Sequence, residues 1–363
     1  MQARLPERIR DDPQVQMEGG RLILQAMARE VLEALGADAA HPIFLPSLGA
    51  VINIFQPNAD TIYLNANVSD AGVYRLRGVS GSVRIARMAQ FRSLASEVAF
   101  EEGPSSLQAL AHNDFNDLHV DAQGRFDVLL SRERPAKYEG DWWQLRAGTG
   151  FLMIRQMSSD WAHERDWRVA IERLDTPVQR SRMRAEELEA RLGRLAQRIG
   201  DVALSLVTHV EDLRHAGYLN RLNIMHTPGS LEGQVYYEGA YEIVPGEALI
   251  VEARVPEECL YWSTILTNDI YQTIDWINNQ SSLNDMQARV DADGVVRFVL
   301  SLEDPGVPNW LDPAGHATGA LQGRWTGCSS TPIPKVTKVD LADLRTVLPP
   351  DTPSVSPEQR EAS

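Results

Sequence analysis

Residues 120–131 read VDAQGRFDVLLS, and residues 290–301 read VDADGVVRFVLS, 170 positions later. Around the two stretches the likeness continues. Asn116-Asp117 and Asn284-Asp285 precede them, and Trp142, Trp143 and Trp310 follow. Further on, the segment from Gly150 to Arg155 matches the segment from Gly319 to Arg324 at an offset of 169. Features repeated in one order indicate an internal duplication. Within each copy, Phe126, Val128 and Leu130, or Val296, Phe298 and Leu300, alternate with their neighbours behind an Asx-Gly turn. Period-two alternation after such a turn is the signature of a β-hairpin.

Working outward, further strands are expected at Val73–Leu76, Ser82–Met88, Ala248–Arg254 and Leu260–Leu266. Short strands with Gly- and Asp-rich turns predict a sandwich or jelly roll per copy. Between the copies the period changes. Leu192, Ile199, Leu206 and Leu213 recur every seven residues, with Leu188, Leu195 and Val202 beside them. This stripe predicts one or two amphipathic helices within Val178–His215, packed on the sheets or forming a dimer seam. Another helix is expected over Glu18–Leu35, ended by Gly36. The chain thus reads as mainly β with helical additions: two related β-sandwich or jelly-roll-like units joined by a long amphipathic helical segment. The expected divisions are a helical segment at 1–40, a first β unit at 41–157, a helical insertion at 158–228 and a second β unit at 229–345. The tail at 346–363, rich in Pro, Ser and Glu, is expected to be disordered.

Composition narrows the partners. The 363 residues include 50 acidic and 35 basic side chains, a net charge of −15, which disfavours nucleic acid and anionic membrane. No apolar run approaches the roughly 18 residues of a membrane span, and Met1–Gln16 lacks the apolar core of a secretory signal. Cys259 and Cys328 read as ordinary thiols of a reducing compartment, so a cytoplasmic location is expected.

No nucleophile elbow, zinc-protease helix or phosphate loop occurs. Gly148-Thr149-Gly150 runs into a strand and fails the dinucleotide context. Asp291-Ala292-Asp293-Gly294 lacks the first acid and the final Glu of a calcium loop, where Arg289 and Leu300 stand, and reads as a hairpin turn. His112 and His119, with Asp114 and Asp117 between them, could gather a metal, but polar loop residues account for them equally. No metal and no cofactor is therefore expected. Pro57-Asn58-Ala59-Asp60-Thr61-Ile62-Tyr63 is a polar knot between apolar runs. It reads either as a structured turn or as Asn58, Asp60 and Tyr63 entering a ligand cleft. The second copy carries Tyr261-Trp262-Ser263, Asn268-Asp269, Asn309-Trp310-Leu311, His316 and Arg324-Trp325. Core aromatics capped by amides explain these residues; so does an aromatic-walled pocket.

The P-N-x-D-T-x-Y segment, the Trp262-Ser263 strand, Asn279-Gln280-Ser281-Ser282-Leu283 and the Asn309-Trp310-Leu311 turn resemble two linked bacterial families, the domains of unknown function 1254 and 1214. The resemblance is firmest over the second half. It implies two β-sandwich units with helical additions, often oligomeric, and supplies no reaction. Ala59 replaces the Asn usual in the first motif.

Two functions follow as expectations. The first is an enzyme doing acid–base chemistry (hydrolysis, elimination or isomerisation), without a redox cofactor, on a small, largely apolar oxygenated molecule such as a terpenoid, steroid or aromatic. His316 would be acid or base, Asp269 its orienter and Arg324 the oxyanion stabiliser. Trp262, Trp310, Trp325, Asn268, Asn309, Tyr261, Asn58, Asp60 and Tyr63 would bind the molecule. The second is a non-catalytic ligand- or carbohydrate-binding sandwich. A homo-oligomer is compatible with both.

Overall fold

A computed structural model describes residues 2–92, 108–225 and 229–361. The paired hairpins are where the duplication is clearest. Asp121 N–H bonds the Arg125 carbonyl and Gly124 N–H bonds the Asp121 carbonyl; Asp291, Val295 and Gly294 repeat both contacts, each at 2.9 Å. Gly124 and Gly294 adopt φ of 76° and 77°, a region that favours glycine, which is why the turn ends in Gly both times.

The first half contains β1 (Leu45–Leu48), β2 (Thr61–Asn67), β3 (Tyr74–Val79), β4 (Ile85–Phe91), β5 (Ala111–Asp114), β6 (Arg125–Ser131), β7 (Asp141–Gln144), β8 (Phe151–Met157) and β9 (Arg168–Arg173). The second contains β10 (Asn223–Met225), β11 (Gln234–Glu242), β12 (Glu247–Arg254), β13 (Cys259–Leu266), β14 (Ser282–Asn284), β15 (Val295–Ser301), β16 (Trp310–Leu311), β17 (Thr318–Cys328) and β18 (Lys335–Asp340). The first half forms sheets β1-β2-β8-β4-β5 and β7-β6-β3-β9; the second forms β10-β11-β17-β13-β14 and β16-β15-β12-β18. Adding nine to each strand number converts one half into the other, down to the parallel pairing of β6 with β7 and of β15 with β16. In each half the two sheets close over one apolar core.

The helices are α1 (Glu7–Arg10), α2 (Pro13–Gly36), α3 (Ala185–Leu204), α4 (His209–His215), α5 (Leu344–Val347) and α6 (Pro357–Glu361). Asp12 caps α2 by accepting from Gln14 N–H at 2.8 Å, and Pro13 takes the first helical position, where it loses no bond. Leu22 and Ala26 of α2 share a core with Val202 and Ala203 of α3 and with Ile54 and Ile270 from the two β halves.

Three expectations need correction. The stripe on α3 is covered only at its C-terminal end. Val202 is buried, Leu195, Ile199 and Leu206 are half-buried, and Leu192 is 52% exposed, because the first turns of the helix extend past the elements that would cover them. Cys259 and Cys328 are not separate thiols. They stand opposite each other on β13 and β17 and are joined as a disulfide. The tail is ordered through α6. Arg360 forks onto Asp304 at 2.9 and 3.0 Å and lies 5.1 Å from the Trp310 ring, which ties the segment to the second half. Among the described residues no helix is long and apolar enough to cross a membrane.

Candidate functional site

Along a strand, successive side chains face opposite ways. On β13, Trp262 and Leu266 enter the sandwich core while Tyr261 and Ser263 face outward; on β17, Leu321 and Trp325 enter it while Gln322 and Arg324 face outward. The outward face of this sheet meets the outward face of β2, β4 and β8. Ile85 and Met157 of the first half pack with Leu231 and Tyr261 of the second. A polar seam continues from that apolar patch.

The polar knot at 57–63 supplies one side of the seam. Asp60 is almost completely buried and accepts from Tyr261 Oη at 2.6 Å, Trp161 Nε1 at 2.8 Å and Asn284 Nδ2 at 2.9 Å. Asn58 Nδ2 donates to Tyr261 Oη at 2.8 Å, and Asn58 N–H donates to Tyr63 Oη at 3.1 Å. Burial pushes the Asp60 carboxyl above its ordinary range, against the pull of the Tyr261 and Asn284 hydrogen bonds and of the Arg324 charge. Burial, and then the charge of Asp60, holds the Tyr261 hydroxyl well above the usual tyrosine value. The pair therefore retains protons that a solvated pair would release.

Arg324 is buried and lies 5.2 Å over the Tyr236 ring. Its Nη2 donates to Gln322 Oε1 at 3.0 Å, and its Nε has no hydrogen-bond partner. Gln322 is fixed in turn by Glu238 at 3.1 Å and Tyr271 at 2.7 Å, and Glu238 meets His209 Nε2 at 2.9 Å. The duplication places Arg155 at the matching position: β2 pairs Tyr63 with Arg155 of β8, and β11 pairs Tyr236 with Arg324 of β17. Arg155 Nη2 donates to the Gly229 carbonyl at 2.9 Å, while its buried Nη1 is unpartnered. His112 lies near Arg155, and burial, reinforced by that charge, lowers its pKa and favours the neutral imidazole. Arg155, His112 and Tyr236 are half-buried, so the seam is wetter at this end than at Asp60.

Asn58, Asp60, Tyr63, Tyr261 and Arg324 are thus brought together, from stretches some 200 residues apart. The expected grouping of His316, Asp269 and Arg324 does not form. Asp269 is held by Arg8 at 2.6 Å and by Thr318 Oγ1 at 2.5 Å. Arg324 lies six residues further along β17 than Thr318, roughly 20 Å away. His316 is 3.7 Å from Glu18, whose other oxygen accepts from Asn268 at 2.9 Å. The three-tryptophan pocket is also absent. Trp262 and Trp325 fill the second core with ring centres 6.2 Å apart, and Trp310 donates to the Ser301 carbonyl at 3.0 Å at the sandwich edge. Asn309 is a backbone clamp, accepting from Arg289 N–H at 2.8 Å and donating to its carbonyl at 2.7 Å. Sequence reasoning missed Tyr236, Asn284 and Trp161 as seam residues. The repeated Tyr–Arg pairing would have found Tyr236; nothing local marked the other two.

Residues 248–323 match the family DUF1214, described as a protein of unknown function. No curated protein matches. Among solved structures, an uncharacterized protein from Burkholderia cenocepacia is 26% identical, with 92% of this chain and 91% of that chain covered at a TM-score of 0.84. The VPA0106 protein from Vibrio parahaemolyticus is 12% identical, with 89% and 98% covered and a TM-score of 0.48. The matched family span lies wholly in the second half, so the likeness of the first half to the 1254 family rests on its motif alone. The chain is thus a two-unit β protein whose residues 248–323, from β12 into β17, are similar to DUF1214.

Proposed function

We propose that the seam binds a small, largely apolar molecule through an oxygen function and performs acid–base chemistry on it: hydrolysis, elimination or isomerisation. The observation that carries this reading is Arg324, a buried guanidinium with an unpartnered Nε beside a buried carboxyl–phenol pair. Burying a cation without a carboxylate within ion-pair reach is costly unless something else uses it. Arg324 would face the ligand's carbonyl or anionic oxygen and stabilise charge that develops there. Asp60 and Tyr261 would hold and pass the proton, a role suited to groups whose pKa values burial has raised. Ile85, Met157 and Leu231 offer the apolar surface. The acid–base roles first assigned to His316 and Asp269 pass to Tyr261 and Asp60. An open aromatic sugar platform built on Trp262 and Trp325 loses its support, because both indoles are core.

The test is native mass spectrometry and thermal-shift screening of the whole protein against ketones, lactones and carboxylic acids of terpenoid, steroid and aromatic type. At least one compound should raise the melting temperature of the wild type and leave Arg324→Met unmoved. Turnover of that compound should fall about 10²–10⁴-fold in Tyr261→Phe. The reading fails if no compound binds, or if binding survives Arg324→Met unchanged.

A further inference from the structure

A cleft of about 300 Å³ opens on the other side of the junction, between α2 and the segment after β13. It shares no residue with the polar seam. Its floor is a fixed polar network. Glu18 Oε1 accepts from Gln14 Nε2 at 3.0 Å and Oε2 accepts from Asn268 Nδ2. Asn268 Oδ1 is taken by the backbone N–H groups of Ile270 and Gln272 at 3.2 and 2.9 Å, so the amide cannot turn. Each Glu18 oxygen keeps a second lone pair. His316 reaches Glu18 from a turn whose Ala314 and Gly315 both have positive φ, 48° and 84°. Asp275, which also lines the cleft, is anchored by the N–H of Ile277 at 3.0 Å and by Asn278 Nδ2 at 2.7 Å. Trp276 lines the same cleft and is half-buried.

We propose that this cleft is a second binding site, for a neutral saccharide unit stacked on Trp276 with its hydroxyls on Glu18 and His316. Charge balance selects this class. Two carboxylates, Glu18 and Asp275, share the cleft with the guanidinium of Arg21, so a free cation or a free anion would meet a like charge, while His316 offers ring nitrogens to a hydroxyl. Neighbouring hydroxyls donate and accept at once and satisfy both kinds of group. The volume lies at the lower end of the range of ligand pockets and suits one or two sugar rings. An indole face with flanking amides and carboxylates supplies the apolar platform and polar rim that a pyranose needs.

The experiment is saturation-transfer NMR and calorimetry of the full chain with maltotriose, cellotriose, xylotriose and chitotriose, each at about 10 mM, a range that detects millimolar affinity. Benzylamine and benzoate serve as charged controls. At least one trisaccharide should bind, and both Trp276→Ala and Glu18→Gln should weaken it about ten-fold or more. Arg324→Met, which removes the seam cation, should leave it unchanged, so this proposal and the seam reading fail separately. If Trp276→Ala melts early, Glu18→Gln alone decides, since it keeps the shape of the side chain. No binding by any trisaccharide, unchanged binding in the variants, or binding of benzylamine or benzoate alone overturns the proposal.

Discussion

The two halves share a topology strand for strand, yet they fill their cores from different places. In the second half Trp262 of β13 pairs with Trp325 of β17; in the first, the matching pair on β4 and β8 is Ala86 with Gln156. The missing bulk comes from Trp167, between β8 and β9, which packs on Phe115 and Phe126 at 5.5 and 5.4 Å. Gln156 clasps it, donating to the Trp167 carbonyl at 3.1 Å and accepting from its N–H at 2.6 Å. A sandwich needs its volume filled at crystal-like density and is indifferent to which strand supplies the atoms. Tryptophan density in the second half therefore reports packing, whereas the Tyr–Arg pairs, kept in both halves on the outward face, report the seam.

The comparison breaks most visibly in the cores. Trp325→Ala should cost about 3–5 kcal/mol by leaving a cavity. Gln156→Ala should cost about 2 kcal/mol, because it orphans both backbone groups of Trp167. Urea unfolding of each variant checks the ranking; equal costs would mean that the two cores are not filled by different means. Asp60 sharpens the contrast at the seam. Its pKa is raised on folding, so the native state holds a proton that the unfolded chain releases. Its contribution to stability accordingly falls as pH rises above the unfolded carboxyl value, by at most about 1.4 kcal/mol per pH unit. Asp60→Asn should gain on the wild type between about pH 4 and neutrality, read as melting temperature against pH. The smallest effect is expected at His209. Burial opposes its protonation, yet the hydrogen bond and charge of Glu238 lift its pKa above the ordinary value. The stabilisation is complete below about pH 6.5 and is lost as pH rises through the raised value. His209→Ala should lose about 1 kcal/mol in mildly acidic buffer, with the deficit shrinking in alkaline buffer.

Much of this fold was legible because repetition is visible in one sequence. The Asx-Gly turns, the strand periods and the match of Arg155 to Arg324 all lie within short windows. The site was legible in halves. Asn58, Asp60 and Tyr63 stand out as a polar knot, and Tyr261 and Arg324 as polar members of aromatic strands. No local pattern tells that the knot of the first half docks on the outward face of the second. Period-two alternation did exclude the pocket expected there, since Arg324 and Trp325 are adjacent on a strand and cannot face one cavity. His316 was a different failure: its partner, Glu18, lies on a helix nearly 300 residues earlier. The disulfide was illegible because Cys259 and Cys328 meet only through the register of β13 on β17.

The placement of α2 bears on how the protein is made. The strands of the first half are all present once residue 173 has left the ribosome, because β3 pairs with β9 and β2 with β8. The helix α2 that precedes them is only partly covered by the first half, through Ile54 and the hydrogen bond from Asn65 to Glu33. Val15, Leu22 and Ala26 of α2 find the rest of their partners in Val202, Ala203 and Ile270, and Glu18 finds its own in Asn268. At about 5–20 residues per second, α2 spends seconds as a nascent segment with part of its apolar face uncovered. It is among the earliest elements to be made and is fully covered only late, so a chain truncated before α3 would leave part of that face open to chaperones and proteases even with its first sandwich fully folded.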